Sequence, residues 1–213
     1  MLADLPNGSP VQHLIITGGK DGSLYVLDRD ALGGYGDGHA WQEISIAAEG
    51  PLASGPPGVL WGIGALWNNS YYLAGAQQPL TAYRLDPSTA KLSLAGTASA
   101  PSGGFGWPAS TPSVSASGDT NGVVWAIDNS RYCTNQSPGC GPAVLHAYDA
   151  SNLTQELWNS SQSSADQAGN AVKFVVPTVA NGKVYVATRG NNTGGVYGST
   201  SASGELDVYG LKP

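Results

Sequence analysis

Charge is scarce in this sequence of 213 residues, and basic charge is the scarcest. Only 11% of the residues are charged, and nine Lys and Arg stand against fifteen Asp and Glu, which gives a net charge of −6. The basic residues are scattered from Lys20 to Lys212 without a cluster. A surface that binds nucleic acid or an anionic membrane needs a basic patch. The sequence therefore argues against both partners.

Long apolar runs are also missing. No stretch approaches the roughly 20 apolar residues of a membrane-spanning helix, so no membrane span is predicted. The opening MLADLPNGSP lacks the basic start and apolar core of a signal peptide. Low Lys content with abundant Ser, Thr and Gly is nevertheless typical of proteins outside the cytoplasm. We expect an extracellular or periplasmic protein whose targeting segment lies upstream of this chain.

Cysteine is limited to Cys133 and Cys140, in CTNQSPGC. The short loop between them contains Ser137, Pro138 and Gly139, which allow it to fold back. In an oxidising compartment we expect the two cysteines to form a disulfide, with two free thiols as the alternative. A zinc site is disfavoured because no second pair of ligands stands nearby.

Turn-forming and aromatic residues are what the chain has in quantity. It contains 30 Gly and 14 Pro, and its 41% apolar content includes 6 Trp and 10 Tyr. Such a composition can bury a core, so disorder is not expected. Many turns with few helix formers predict an all-β protein.

Internal repetition is the main signal. Four similar apolar runs begin at Leu24, Leu80, Leu145 and Leu206. These leucines recur at intervals of about 56, 65 and 61 residues, a range that indicates propellers or solenoids. Another apolar run comes directly before each of the four, and weaker runs flank these pairs. Each unit therefore reads as four short strands joined by turns.

Local patterns support antiparallel strands. In KVYVAT the two valines and the threonine face one way and the tyrosine and alanine face the other, as successive residues do in a strand. The pairs Asp21-Gly22 and Asn181-Gly182 are strong hairpin signals because both residue types tolerate positive φ. Asp28 ends a third strand, where its carboxylate can accept a hydrogen bond from the following turn. Four-stranded antiparallel units repeated at this interval predict the blades of a β-propeller, which must stack on one another.

The predicted fold is a single β-propeller segment of about four four-stranded antiparallel blades. The blades are expected at residues 1–49, 50–98, 99–160 and 161–213. The first has a poor first strand because MLADLPNGSPVQ is rich in turn formers, and the last ends directly after its third strand. We therefore expect an incomplete, open ring whose remaining blades lie upstream. A closed four-bladed ring is the alternative.

A family resemblance is carried by LHAYDASNLTQELW, residues Leu145–Trp158. It resembles the quinoprotein-type (PQQ-like) propeller repeat, whose signature runs Ala-x-Asp-x-x-Thr-Gly and is followed by a Trp. Ala147, Asp149 and Trp158 occupy matching positions, and VPTVANGKVYVAT is also similar to these repeats. The resemblance implies that Trp158 docks between blades, and that Trp41 is a candidate for the same role.

The resemblance also marks two departures. Arg84 and Gly210 stand where Asp28 and Asp149 stand in the other units, so the second and fourth blades are expected to have altered corners.

Quinone-dependent dehydrogenases of this family bind pyrroloquinoline quinone (PQQ) and Ca²⁺ and carry two adjacent cysteines. The cysteines of this chain are seven positions apart, and no calcium-binding set can be assigned. We accordingly predict no catalytic, cofactor-binding or metal-binding residue and no cofactor for this chain. The alternative is a quinone- or metal-dependent oxidoreductase, using PQQ and Ca²⁺, whose active residues lie largely outside this segment.

The favoured function is therefore a non-catalytic binding or scaffolding segment with an unknown protein or glycan ligand. The inserts at 128–142 and 189–204, which join second to third strands, are the expected recognition face. Two aromatic stretches, SYY at 70–72 and FGWP at 105–108, are conceivable sugar platforms, but packing between blades is the favoured interpretation. The acidic stretch at 28–41 is interpreted as a solvated loop rather than a calcium site.

Overall fold

The computed structural model describes residues 1–46, 59–132, 141–190 and 204–210. Within these ranges the protein is all-β, as predicted, apart from 3-10 turns at Asp37–His39 and Ser164–Asp166. The strands form four antiparallel sheets, three with four strands and one with three. The described part of the chain contains no helix long and apolar enough to cross a membrane.

Each sheet is built from strands that are consecutive in the chain. The first contains β1 (Leu2–Asp4), β2 (His13–Gly18), β3 (Ser23–Asp28) and β4 (Gln42–Ser45). The second contains β5 (Ala65–Trp67), β6 (Ser70–Leu73), β7 (Thr81–Asp86) and β8 (Lys91–Thr97). The third contains β9 (Ser113–Ser117), β10 (Thr120–Asp128), β11 (Val144–Asp149) and β12 (Asn152–Asn159). The fourth contains β13 (Thr178–Ala180), β14 (Lys183–Thr188) and β15 (Glu205–Gly210).

The predicted turn residues lie between these strands. Asn181 (φ 50°) and Gly182 (φ 70°) join β13 to β14 in the left-handed conformation that a two-residue hairpin requires. Between β2 and β3, Gly22 has φ 83°, and the Asp21 carboxylate accepts a hydrogen bond of 3.0 Å from the Ser23 N–H.

The first strand of the first unit, expected to be poor, is present and has three residues. β1 pairs with β2, with Leu2 opposite Ile15. The side chains of Ala3 and Leu5 are buried in the same apolar cluster as the rest of the first sheet. Burial of these two side chains therefore stabilises a strand in a segment whose composition favours turns.

The sheets pack face to face in chain order. A first apolar cluster joins the first and second sheets, a second cluster joins the second and third, and a third cluster joins the third and fourth. Within the described residues, none of these clusters joins the first sheet to the fourth. Tyr71 and Tyr72, neighbours on β6, are both fully buried although they point to opposite faces of their sheet. Both faces of the second sheet are thus covered by other sheets.

One face of the fourth sheet is exposed within the described residues. Leu145 on β11 lies four residues before Asp149, and Leu206 on β15 lies four residues before Gly210, so the two leucines hold equivalent positions. Leu145 is fully buried under the fourth sheet, whereas Leu206 is 59% exposed. Among the described residues, the fourth sheet thus exposes an apolar face, whereas the equivalent face of the third sheet is buried.

Replacement of these two leucines should give different losses of stability. We expect Leu145→Ala to lower the free energy of unfolding by about 2–5 kcal/mol, because it leaves a cavity in a packed core. Leu206→Ala should cost less than about 1 kcal/mol in the isolated chain. Urea denaturation of both variants measures the difference. A Leu206→Ala loss as large as that of Leu145→Ala would mean that the open face is covered in solution.

Candidate binding surface on the loop face

The antiparallel strand order collects one set of connections at one end of the sheets. This end carries the links between second and third strands and the segments that lead into each first strand. Backbone hydrogen bonds tie the two sets together, from Leu60 N to Gly19 O at 3.2 Å and from Ala171 N to Gly141 O at 2.8 Å. We call this end, formed by residues 19–22, 59–64, 105–112, 129–132, 141–143 and 169–177, the loop face.

Four aromatic side chains from different parts of the chain meet on the loop face. Trp61 precedes β5, Trp107 precedes β9, Tyr132 follows β10 and Phe174 precedes β13. The Trp61 ring lies 5.5 Å from Trp107, edge to face, and 6.1 Å from Phe174. The Trp107 ring lies 5.9 Å from Tyr132. The rings form one connected group.

Two lysines complete this group. The Lys20 ammonium lies 4.2 Å above the Trp61 ring. The Lys173 ammonium lies 4.7 Å from the Trp107 ring centre and 4.6 Å from that of Tyr132. Such contacts are attractive because the face of an aromatic ring carries partial negative charge. We call Trp61, Trp107, Tyr132, Phe174, Lys20 and Lys173 the aromatic–lysine cluster.

The cluster contains backbone in a conformation that costs free energy. Phe174 has φ 63° and the nearby Ala109 has φ 86°. For residues other than Gly this left-handed conformation costs roughly 1–2 kcal/mol. Burial does not offset the cost at Phe174, whose side chain is 56% exposed. Strain of this kind concentrates at functional sites.

At the opposite end of the sheets, a groove lies between the second and third sheets. Its volume is about 620 Å³, and it is lined by Trp67, Arg84, Asp149 and Asn152 among others. Some of its polar side chains already bond to other groups of the protein. The Arg84 guanidinium donates to the Asn68 carbonyl at 2.8 Å, and Asn152 Oδ1 accepts from the Thr154 hydroxyl at 2.7 Å. This groove therefore offers a ligand fewer free polar partners than its size suggests.

The predicted corner residues Asp28 and Asp149 both act in turns. Asp28 Oδ1 accepts from the Asp30 N–H at 2.9 Å. Asp149 Oδ1 accepts from the hydroxyl of Ser151 at 2.6 Å and from its N–H at 2.8 Å. These hydrogen bonds, the hydroxyl first, lower the pKa of the Asp149 carboxyl.

The corner of the second sheet is displaced along the chain. β7 continues two residues past Arg84 and ends at Asp86. Asp86 Oδ1 accepts from the Ser88 N–H at 2.8 Å, as Asp149 does from Ser151. The residues Asp86-Pro-Ser-Thr-Ala90 have the Asp-x-x-Thr spacing of the repeat signature. This spacing was the signal in the sequence that could have located the corner at Asp86. Gly210 ends β15 at the border of the described residues.

Each of the three interfaces between neighbouring sheets includes a tryptophan of one sheet that contacts the next. Trp158 packs edge to face on Tyr209 of the fourth sheet, with ring centres 5.5 Å apart. Trp41 Nε1 donates to the Thr89 carbonyl of the second sheet at 3.3 Å. Trp67, which the sequence did not single out, donates to the Gly118 carbonyl at 2.8 Å. Ala147 is buried, and it pairs with Trp158 across the β11–β12 ladder.

Several predicted features lie outside the described residues. Cys133 and Cys140 fall there, and so do most of the inserts at 128–142 and 189–204. Of the proposed sugar platforms, Tyr71, Tyr72 and Phe105 are fully buried and pack within the core. Among the described residues no group of three or more His, Cys, Asp or Glu could hold a metal ion.

A buried histidine on β11 lies in the core rather than at a binding surface. His146 Nδ1 lies 2.6 Å from Glu156 Oε1. Its ring stacks on Tyr148 at 5.9 Å and meets Phe105 edge to face at 5.7 Å. Burial raises the pKa of the Tyr148 hydroxyl, which donates to the Ala100 carbonyl at 2.7 Å.

The aromatic–lysine cluster was largely missed in the sequence, although a signal was present. Trp61 lies four residues before β5, and Phe174 lies four residues before β13. An alignment of the repeat units on their first strands, rather than on their leucines, would have placed these two rings at the same position.

No protein-family model, no curated protein and no solved structure matches this chain. The function must therefore be inferred from the arrangement of the residues described above.

The strain at Phe174 predicts an order of stability between two variants. Phe174→Gly and Phe174→Ala both remove the ring, but only glycine adopts positive φ without a steric cost. We expect the Gly variant to be more stable than the Ala variant by about 1 kcal/mol. Thermal and urea denaturation measure the difference. Equal stability of the two variants would contradict the assignment of strain at this position.

The lowered pKa of Asp149 predicts a pH dependence. Because its folded pKa lies below its unfolded value, Asp149 contributes stability above about pH 4, and this contribution is lost as pH falls through the folded pKa. Asp149→Asn keeps an acceptor oxygen but does not titrate. We expect wild type to exceed this variant in unfolding free energy at pH 6, by less than about 1 kcal/mol because the site is exposed to solvent.

The difference between wild type and Asp149→Asn should disappear near pH 2, as urea denaturation at both pH values would measure. Asp119→Asn, at an exposed turn on the same end of the sheets, is the matched control. A pH-independent difference for Asp149→Asn would show that the charge of Asp149 makes no contribution.

Proposed function

We propose that this chain is a segment of a β-propeller built from quinoprotein-type repeats, and that it acts outside the cytoplasm as a non-catalytic binding platform. The sheet order supports the architecture, because each unit is a meander of consecutive antiparallel strands. The contacts between sheets also support it. β9, a first strand, lies against the first strands β5 and β13 of both neighbouring sheets, as strands around a common axis would.

The open face of the fourth sheet supports a ring with further blades. Leu206 and Val208 are 59% and 49% exposed there, while the equivalent Leu145 and Ala147 are covered by another sheet. A further unit of the same repeat would cover this face in the same way. Large exposed apolar faces are otherwise uncommon on soluble proteins.

The proposed binding function rests on one observation. Side chains from successive repeat units converge on one surface in the aromatic–lysine cluster. The rings of Trp61, Trp107 and Phe174 come from the lead-in segments of three different sheets. Ring faces and ammonium groups favour binding by stacking and by charge pairing. Among the two ligand classes that the sequence left open, glycans suit such a surface, since aromatic rings stack on the apolar faces of sugars.

A glycan array tests this proposal. We expect the chain to bind a subset of glycans and to lose at least tenfold in affinity when Lys173→Met and Phe174→Gly are combined. Arg84→Met, in the groove at the opposite end, is the matched control and should leave binding unchanged. Absence of glycan binding, or binding that survives the combined change at the loop face, would overturn the proposal.

A second measurement addresses the oxidoreductase alternative. Under our proposal, PQQ with Ca²⁺ should leave the thermal unfolding midpoint of the chain unchanged. A saturable rise in that midpoint, together with a shifted PQQ absorbance band, would favour the enzyme.

A further inference from the structure

The charge of the aromatic–lysine cluster narrows the class of ligand. Lys20 and Lys173 take part in none of the ion pairs found among the described residues. Both are instead held above aromatic rings, at 4.2–4.7 Å from the ring centres. The chain as a whole has a net charge of −6, so it offers carboxylates in excess of its cations. Two cations that remain without a carboxylate on one aromatic surface suit an anionic partner.

The exposed ring supplies the second requirement. Phe174 is held at φ 63°, with its side chain 56% exposed and its ring 6.1 Å from that of Trp61. An exposed phenyl ring in the same cluster as two ammonium groups suits a ligand that has both an apolar face and a negative charge. A pyranose ring that carries a carboxylate has both.

Other anions fit this surface less well. Nucleic acids and polyphosphates bind along extended basic grooves that contact many phosphates. The cluster has two lysines, and the remaining seven basic residues of the chain are scattered. A ligand with one carboxylate per ring matches two local cations, because it does not require a continuous basic track.

We infer that the loop face binds an acidic saccharide, a glycan that contains uronic acid residues. A sugar ring stacks on Phe174, and carboxylates of the glycan pair with Lys173 and Lys20. This inference rests on the proposed function, since it names the glycan class that the platform recognises.

Isothermal titration calorimetry with two matched trisaccharides tests the inference. The probes are a 1,4-linked trimer of galacturonic acid and the 1,4-linked trimer of galactose, which has the same ring stereochemistry without the carboxylates. We expect the acidic trimer to bind at least tenfold more tightly at 50 mM NaCl. Its affinity should fall at least threefold at 500 mM NaCl, because salt screens the ion pairs.

Variants then separate the contribution of charge from that of the ring. Lys173→Met and Lys20→Met should each weaken binding of the acidic trimer at least fivefold and leave that of the neutral trimer unchanged. Phe174→Gly should weaken binding of both trimers. Lys91→Met, at the start of β8 and at the opposite end of the sheets, is the matched control and should change neither.

The contrary outcomes are distinct. Equal affinity for the two trimers would overturn the acidic class while the glycan platform stands. Hexaglutamate that binds as tightly as the acidic trimer would overturn the saccharide assignment, since charge alone would then suffice. No binding of either trimer at millimolar concentration would overturn the inference, and the glycan array would then decide the platform separately.

Discussion

The rest of the structure depends on one constraint: a four-stranded sheet in this chain has apolar side chains on both faces and cannot bury either face alone. Tyr71 and Tyr72 show this at adjacent positions, since each is fully buried against a different neighbouring sheet. The hydrophobic effect therefore stacks the sheets in series, and each sheet is stabilised by the next. The fourth sheet obeys the same pattern on one face and leaves the other exposed.

This constraint also decides where binding can occur. Because both faces of the inner sheets are used for packing, only the ends of the strands are available to a ligand. At one end the tight turns satisfy their own polar groups, as Asp149 does with Ser151 and Asp86 with Ser88. At the loop face the longer connections bring rings and ammonium groups together, and no carboxylate among the described residues forms an ion pair with Lys20 or Lys173. The strained backbone at Phe174 lies at that end.

Local sequence signals were strong enough to predict strands and turns. The alternation in β14 and the turns at Asp21-Gly22 and Asn181-Gly182 depend on residues adjacent in the chain. β1 had only a weak signal in the sequence because its stability comes from burial of Ala3 and Leu5 against strands that follow later. The cluster on the loop face escaped prediction for a similar reason. Trp61, Trp107 and Phe174 are more than 40 residues apart in the sequence, and their proximity depends on how the sheets pack.

The sequence by itself determined the all-β class, the grouping of the strands into four units and most strand positions, because period-two alternation and turn chemistry act over a few residues. Only the tertiary structure decided which face of each strand is covered, that Leu206 is exposed where Leu145 is buried, and that two lysines lie over a shared group of rings. These features require contacts between distant parts of the chain. Their energies depend on burial and on distances that no local pattern encodes.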